Sequence, residues 1–362
     1  MHDETNEQEN SNLENKPQYT QPEFVRPDLN VPPIDSTPAR SWDRPSLNLD
    51  KVTDVVDKVK AEVAKVIIGQ TEMVDLLMAA MFTGGHVLVE GVPGIAKTLT
   101  SKLMAQAFAV EYSRIQFTPD LMPTDVVGTT MYNLKTAEFT FNKGPIFSNI
   151  VLIDEINRAP AKTQSALFEV MEEYQVTMDG ETYMMDQPFF VIATQNPIEQ
   201  EGTYKLPEAQ LDRFLFKINL HYPNLEEEKQ ILHRFKSDFK MRQKEKVQPV
   251  CSAQDVKECQ EIIEKVHIKD ELLDYIAAII HNTRNNGDLF LGASPRASLA
   301  IMKASKAVAA MAGRDFVTPD DIQYVADPVL NHRIILTPER EMEGYGANDV
   351  VMDIIKKIEV PR

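Results

Sequence analysis

The sequence predicts an α/β fold: a mostly parallel central sheet flanked by helices, followed by an all-helical region. Three observations predict it. Apolar runs of strand length at 86–89, 113–117, 150–153, 189–193 and 214–218 are separated in several places by segments of helical periodicity, the alternation that builds a parallel sheet. A glycine-rich turn at 91–98 joins the first of these runs to a helical pattern. Beyond Pro223 helical patterns take over and no convincing strand follows.

Taken in chain order, residues 1–46 are rich in Asn, Gln, Glu and Pro, with prolines recurring from Pro17 to Pro45. Such a segment lacks the periodic apolar face needed to offset ordering entropy, so it is expected to be a disordered tail. A docking motif around Phe24 or Trp42 is the alternative use of this stretch. Val52, Val55, Val56, Val59 and Val63 then fall at helical spacing and mark an amphipathic helix. A second helix is expected over 71–82 and a third over 97–108. In the later region, helices are expected at 225–239, 256–266, 271–285, 296–311 and 319–326, with a charged connection at 243–246. An α/β domain over 47–222 and a separate helical domain over 223–362 follow from this division.

Composition narrows the function classes. At 362 residues the chain is too long for one compact core and fits two domains plus a tail. Its formal net charge of -17 repels nucleic acid and anionic membranes, so no nucleic-acid partner is expected. Cys251 and Cys259 show no metal-ligand spacing and give no reason to expect a structural disulfide. The N-terminus lacks a secretory pattern, and no apolar run approaches the roughly 18 residues of a membrane span. A cytoplasmic protein without a transmembrane segment is the expectation.

The turn Gly91-Val92-Pro93-Gly94-Ile95-Ala96-Lys97-Thr98 sits between strand and helix, the context a phosphate-binding loop requires. Backbone N–H groups and the helix N-terminus would face phosphate oxygens, Lys97 would neutralise the β and γ phosphates, and Thr98 would offer its hydroxyl to Mg²⁺. Ala96 stands where this pattern usually has glycine. Its methyl group is tolerable if the residue takes helical φ/ψ. The alternative is a structural Gly/Pro turn.

The apolar run 149–153 ends in Asp154 and Glu155, at the strand edge where α/β folds bind ligands. Asp154 would hold Mg²⁺, and Glu155 would polarise the attacking water. The plain alternative is a pair of solvated carboxylates. A further apolar run leads to Asn196, which would reach the γ-phosphate or the lytic water if its strand neighbours the other two, and otherwise caps a loop before Pro197. Arg213 precedes a strand. In a monomer it would form an ordinary ion pair with Asp212 or a neighbour; in a head-to-tail ring it could enter the adjacent subunit's site. Pro295 fits the first turn of a helix, where Arg296 could face nucleotide and couple it to domain closure.

The order of these motifs resembles the AAA+ ATPases, and their wording is close to the MoxR family. The likeness runs from about Ile67 to Ile335. It is carried by GVPGIAKT at 91–98, RIQFTPDLMPTDVVG at 114–128, GPIF at 144–147, VLIDEINRAPAKTQSALFEVMEE at 151–173, IATQNPIEQEGTYKLPEAQLDRF at 192–214 and GASPRA at 292–297. The resemblance implies a P-loop AAA+ domain followed by an all-α lid. It implies ATP as substrate, with Lys97 and Thr98 as the Walker A pair, Asp154 and Glu155 as Walker B, Asn196 as sensor 1, Arg213 as arginine finger and Arg296 as sensor 2. Ile68, Gly69 and Gln70 resemble the segment packed near adenine, and Leu99 completes the nucleotide-contacting run from Gly91. Residues 120–141 resemble the helix-2 insert, and 175–185, with Asp179-Gly180 as a hairpin turn, the hairpin before sensor 1. Lid placement varies in this branch, which leaves Arg296 acting either within its own subunit or across the interface. The family also implies a hexameric homo-oligomer and a protein client, often one with a von Willebrand factor A domain.

Three other readings compete: a metal-chelatase motor subunit, a DNA-dependent motor, and a nucleotide-gated binding module with little hydrolysis. The acidic charge opposes the second. The presence of Glu155, Asn196 and Arg213 together opposes the third.

Overall fold

In the computed structural model the sheet runs in the order β2-β5-β8-β1-β9, every neighbouring pair parallel. Its strands are β1 (Val87–Glu90), β2 (Tyr112–Gln116), β5 (Ile150–Asp154), β8 (Phe190–Gln195) and β9 (Phe216–Asn219). The structure describes residues 47–92, 94, 96–135, 137–196, 203–220, 222–236 and 247–361. The described chain from residue 47 onward lies in one compact unit, and the expected tail lies outside the described residues.

Period-two alternation assigns each strand residue to one of two cores. Val87, Val89, Ile150, Leu152, Phe190 and Ile192 face a core shared with helices α1 (Asp50–Ala64), α2 (Thr71–Phe82) and α3 (Lys97–Ala107). Leu88, Val151, Ile153, Val191 and Ala193 face the other side, where α5 (Ala161–Glu173) packs. The central strands β5 and β8 are therefore apolar on both faces, which is why they read as unbroken hydrophobic runs. Helix α2 buries Met73, Val74 and the whole run from Leu76 to Phe82, so it is a core helix rather than an amphipathic one.

Two antiparallel hairpins leave this layer. After the short helix α4 (Pro123–Val127), β3 (Gly128–Asn133) pairs with β4 (Glu138–Lys143). Met131, Tyr132, Leu134 and Phe139 are exposed on this arm. Its base is a close crossing of two backbones. A Cβ on Gly128 would collide with the Asn142 carbonyl oxygen, and one on Gly144 with the Val126 carbonyl oxygen. The second hairpin, β6 (Gln175–Met178) with β7 (Glu181–Met184), turns through Asp179 and Gly180, both at positive φ as the expected turn requires.

After α6 (Glu208–Leu211) and β9, the chain continues as α7 (Leu225–Phe235), α8 (Ala253–Glu264), α9 (Asp270–Arg284), α10 (Pro295–Met311), α11 (Pro319–Leu330), α12 (Pro338–Met342) and α13 (Ala347–Lys357). Side-chain capping boxes open α7 at Asn224 and α8 at Ser252. The core against α1 and α2 runs on into α8, α9, α10, α11 and α13. Two expectations fail here. A small antiparallel pair, β10 (Leu289–Leu291) with β11 (Ile335–Leu336), interrupts the helical region; strands this short carry no readable alternation. Helix α11 also continues past Ala326 through Pro328, which leaves one i→i−4 hydrogen bond of the last turn unmade. The expected connection at 243–246 lies outside the described residues. Among the described residues no helix is long and apolar enough to cross a membrane.

Candidate active site

The sheet order answers the condition set for Asn196. Strand β8 lies between β5 and β1, so Asp154, Glu155, Asn196 and the turn after Glu90 all emerge at the same C-terminal edge. The Lys97 ammonium links two of these ends, donating to the Gly91 carbonyl at 2.6 Å and lying 3.5 Å from that of Gln195.

Pro93 and Ile95 lie outside the described residues, but Val92, Gly94 and Ala96 frame the loop. Ala96 is not helical. It has φ 64 and ψ 19, in the left-handed region, and stands at the cap of α3 with its carbonyl receiving Thr100 N–H at 2.9 Å. The condition of helical dihedrals is not met. The chain must reverse its curl before α3, and left-handed residues are how a backbone makes an anion-binding concavity. A Cβ in this region costs about 1 kcal/mol. Leu99 sits in the first turn of α3 and packs partly against the core.

Asp154 is buried at 7% exposure, with each oxygen engaged. Thr194 Oγ1 donates to Oδ1 at 3.2 Å, and Arg114 Nε to Oδ2 at 2.6 Å. Thr98 Oγ1 lies 3.5 Å from both oxygens, too long for a strong O–H···O bond. A hydroxyl and a carboxylate facing across such a gap are hard oxygen donors, the set that suits Mg²⁺. Glu155 adopts φ 57 and ψ 54, strained for a side-chain-bearing residue. Its N–H donates to Thr194 Oγ1 at 3.1 Å. Its Oε2 accepts from Gln116 Nε2 at 2.8 Å and pairs with Arg158 Nε at 3.1 Å. Nearby, burial first and the Asp154 charge second push the Tyr112 hydroxyl up to about 12, so it stays protonated.

Ile68 and Gly69 line a 550 Å³ cavity together with Val63, Ile67, Val74 and Arg234, between α1, α2 and α7. Gly69 and Gln70 are both left-handed, with φ 71 and 57. The Glu227 carboxylate occupies the place a Gly69 Cβ would need, 2.7 Å away.

Arg213 and Arg296 are elsewhere. Both are brought to Glu172 in the last turn of α5: Arg296 Nη2 lies 2.9 Å from Oε1, and Arg213 Nε 3.7 Å from Oε2. Arg213 Nη1 also donates to the Phe168 carbonyl. This cluster sits at the N-terminal edge of the sheet. Adjacent Met171 O bonds His86, the residue before β1, and Tyr174 Oη donates to Gly84 O at 2.9 Å. Strand β1, about 13 Å long at ~3.3 Å per residue, separates this edge from the loop that follows it. His86 is fully buried and accepts Val191 N–H at 3.1 Å, and burial lowers its pKa to about 4.

Of the two monomer pairings expected for Arg213, with Asp212 or with a neighbour, the structure has the second, on Glu172. Asp212 accepts from the buried Arg333 at 2.7 Å and from Ser294 Oγ at 3.1 Å. Arg333 further donates to the carbonyls of Phe214, Leu215 and Asp212 at 2.7, 3.1 and 3.1 Å, fastening the turn before β9 to the end of α11. Arg114, Gln116, Thr194, Glu172 and Arg333 were not legible as site residues. For Arg114 and Gln116 a signal existed: polar residues two apart on a strand share a face.

Fold and site together define a P-loop nucleoside triphosphatase with a helical lid. Comparison with known proteins gives the family. Residues 86–216 match the ATPase family associated with various cellular activities (AAA), and residues 281–354 match the AAA lid domain. The chain is 46% identical to the uncharacterized protein YeaC of Bacillus subtilis over 307 residues, 85% of this chain and 95% of that one. It is 43% identical to chaperone MoxR1 of Mycobacterium tuberculosis over 310 residues, 83% and 81% of the two chains. A crystal structure of a presumed ATPase from Cytophaga hutchinsonii superposes with a TM-score of 0.78 at 44% identity, covering 86% of this chain and 98% of that one. The chain belongs to the MoxR family of AAA+ ATPases, and it binds and hydrolyses ATP.

Proposed function

We propose that the protein works as a closed ring, a hexamer, in which each ATP lies between two copies and its turnover remodels a client protein. One observation carries the reading: Arg213 and Arg296 are gathered on a single carboxylate at the sheet edge opposite their own phosphate loop. Two guanidinium groups at that edge cannot reach ATP in their own subunit, whereas a head-to-tail neighbour presents its ATP to them. In this reading Arg296, like Arg213, acts across the interface.

The α/β part, 47–222, supplies the acceptor half of each site, and 223–362 acts as lid. Gly91 to Leu99 cradle the phosphates, and Ile68, Gly69 and Gln70 bound the base cavity. Asp154 and Thr98 would hold Mg²⁺, which supplies charge neutralisation on the transferring phosphate. Glu155 orients the attacking water and takes up its proton. Asn196 fixes that water or the γ-phosphate. Arg213 stabilises charge growing on the γ-phosphate. The relative named a chaperone supports a protein client, and a von Willebrand factor A domain protein is the client class we favour.

The test is ATPase rate against protein concentration for wild type, Glu155→Gln, Arg213→Ala and a mixture of the two. A shared site predicts a specific rate that rises with concentration, collapses in each variant and partly returns in the mixture. There, interfaces pairing an intact Glu155 with an intact Arg213 re-form. A rate independent of concentration, or indifferent to Arg213→Ala, overturns the ring.

A further inference from the structure

We infer that Arg114 is a built-in counter-ion for the metal-holding carboxylate: it occupies Asp154 when no divalent cation is bound and must yield when one arrives, so it sets the magnesium requirement of the site. The inference rests on the reading that Asp154 and Thr98 hold Mg²⁺.

A buried carboxylate needs charge compensation, and hydroxyl donors alone do not supply it. Asp154 takes one hydroxyl bond from Thr194, and its second oxygen is covered by the Arg114 guanidinium at 2.6 Å. That guanidinium comes from β2, an edge strand, in the register Arg114 opposite Leu152 that sets Gln116 opposite Asp154. Asp154 is enclosed, but Arg114 is half exposed: their side chains stand at 10% and 51% exposure. The cation can therefore swing into water and stay hydrated while the anion remains in place. Tyr112, the other ionisable side chain near Asp154 on this strand face, is held protonated by burial and carries no charge into the exchange.

Leaving has a second effect. Arg114 Nη2 donates to Gln116 Oε1 at 3.3 Å, and Gln116 Nε2 donates to Glu155 Oε2 at 2.8 Å. One strand face thus holds both acids, and release of Asp154 by Arg114 loosens the amide that restrains Glu155. A divalent cation and a guanidinium on neighbouring carboxylate oxygens repel each other, so removing the guanidinium charge strengthens cation binding.

The experiment is an electron paramagnetic resonance titration of Mn²⁺ into the full-length protein saturated with a non-hydrolysable ATP analogue. Wild type, Arg114→Gln, Arg114→Lys and Asp154→Asn are compared, with circular dichroism melting as the check on folding. The expected result is Mn²⁺ affinity about tenfold tighter in Arg114→Gln, with Arg114→Lys, which keeps the charge, near wild type. Unchanged or weaker binding in Arg114→Gln, or equal behaviour of the Gln and Lys variants, overturns the inference. A separate result, Mn²⁺ binding indifferent to Asp154→Asn, would remove the metal-site reading itself and the inference with it.

Discussion

The two edges of the sheet differ in how their charges are satisfied. At the C-terminal edge the charges of Asp154 and Glu155 are met by cations that reach solvent, Arg114 and Arg158, beside a surface amide on Glu155 and the buried Thr194 hydroxyl on Asp154. At the N-terminal edge the arginines divide into two kinds. Arg333 is locked, with five protein acceptors and almost no exposure, whereas Arg213 and Arg296 share one partly exposed carboxylate. The contrast separates scaffold from chemistry. In the proposed ring, the groups assigned to phosphate or metal have replaceable partners, and Arg333, which fixes the turn before β9, has none to spare.

Breaking the N-terminal edge should have the largest effect. Arg213→Ala is expected to lower kcat about a thousandfold while ATP affinity, read by equilibrium binding, changes little. A loss below tenfold would place transition-state stabilisation elsewhere.

Next comes the locked cation. Arg333→Met leaves Asp212 without its charge partner and should cost about 3 kcal/mol in urea unfolding. Arg296→Met, on the exposed side of the cluster, should cost under about 1 kcal/mol. Equal costs would erase the distinction between the two kinds of arginine.

A third effect is proton-linked and also belongs to the N-terminal edge. His86 has its folded pKa depressed to about 4 against 6.5 for the free side chain, because burial disfavours the cation. Between those values the unfolded chain binds the extra proton, so stability present above pH 6.5 is lost as pH falls towards 4. Between pH 8 and pH 5 the loss from this group is about 2 kcal/mol. His332, lowered by the same cause, adds in the same direction. Unfolding measured at both pH values should show a shallower loss in His86→Gln; an identical loss would clear His86 of the role.

The smallest effect probes the C-terminal edge. Ala96→Gly removes a left-handed Cβ and should stabilise the nucleotide-free protein by up to about 1 kcal/mol, read as a rise in melting temperature. A fall would mean that the methyl group packs well enough against the core to outweigh its strain.

Much of the C-terminal edge was legible because its residues are local. Lys97 and Thr98 adjoin their loop, and Asp154 and Glu155 end an apolar strand. What escaped the sequence joins distant positions. Arg114 meets Asp154 across 40 residues, Arg333 meets Asp212 across 121, and Arg296 meets Glu172 across 124. No periodicity encodes such pairs; sheet order and helix packing make them. Ala96 escaped for another reason. Its identity favours helix, and the loop imposes the opposite hand. Likewise, β10 and β11 are too short to show a strand pattern of their own.

The crossing at Gly128 and Gly144 has a consequence for how the exposed arm can change. Two backbones touch there with no room for a side chain, and Gly144 N–H bonds Val127 O at 3.2 Å. A clasp of this kind fixes the exit and return of the chain regardless of what lies beyond it. Loop extension past a fixed closure costs only about 0.6 kcal/mol per doubling of length. The arm is thus a cassette. A longer or shorter tip is therefore expected to leave the shape of the ATPase behind the clasp unchanged.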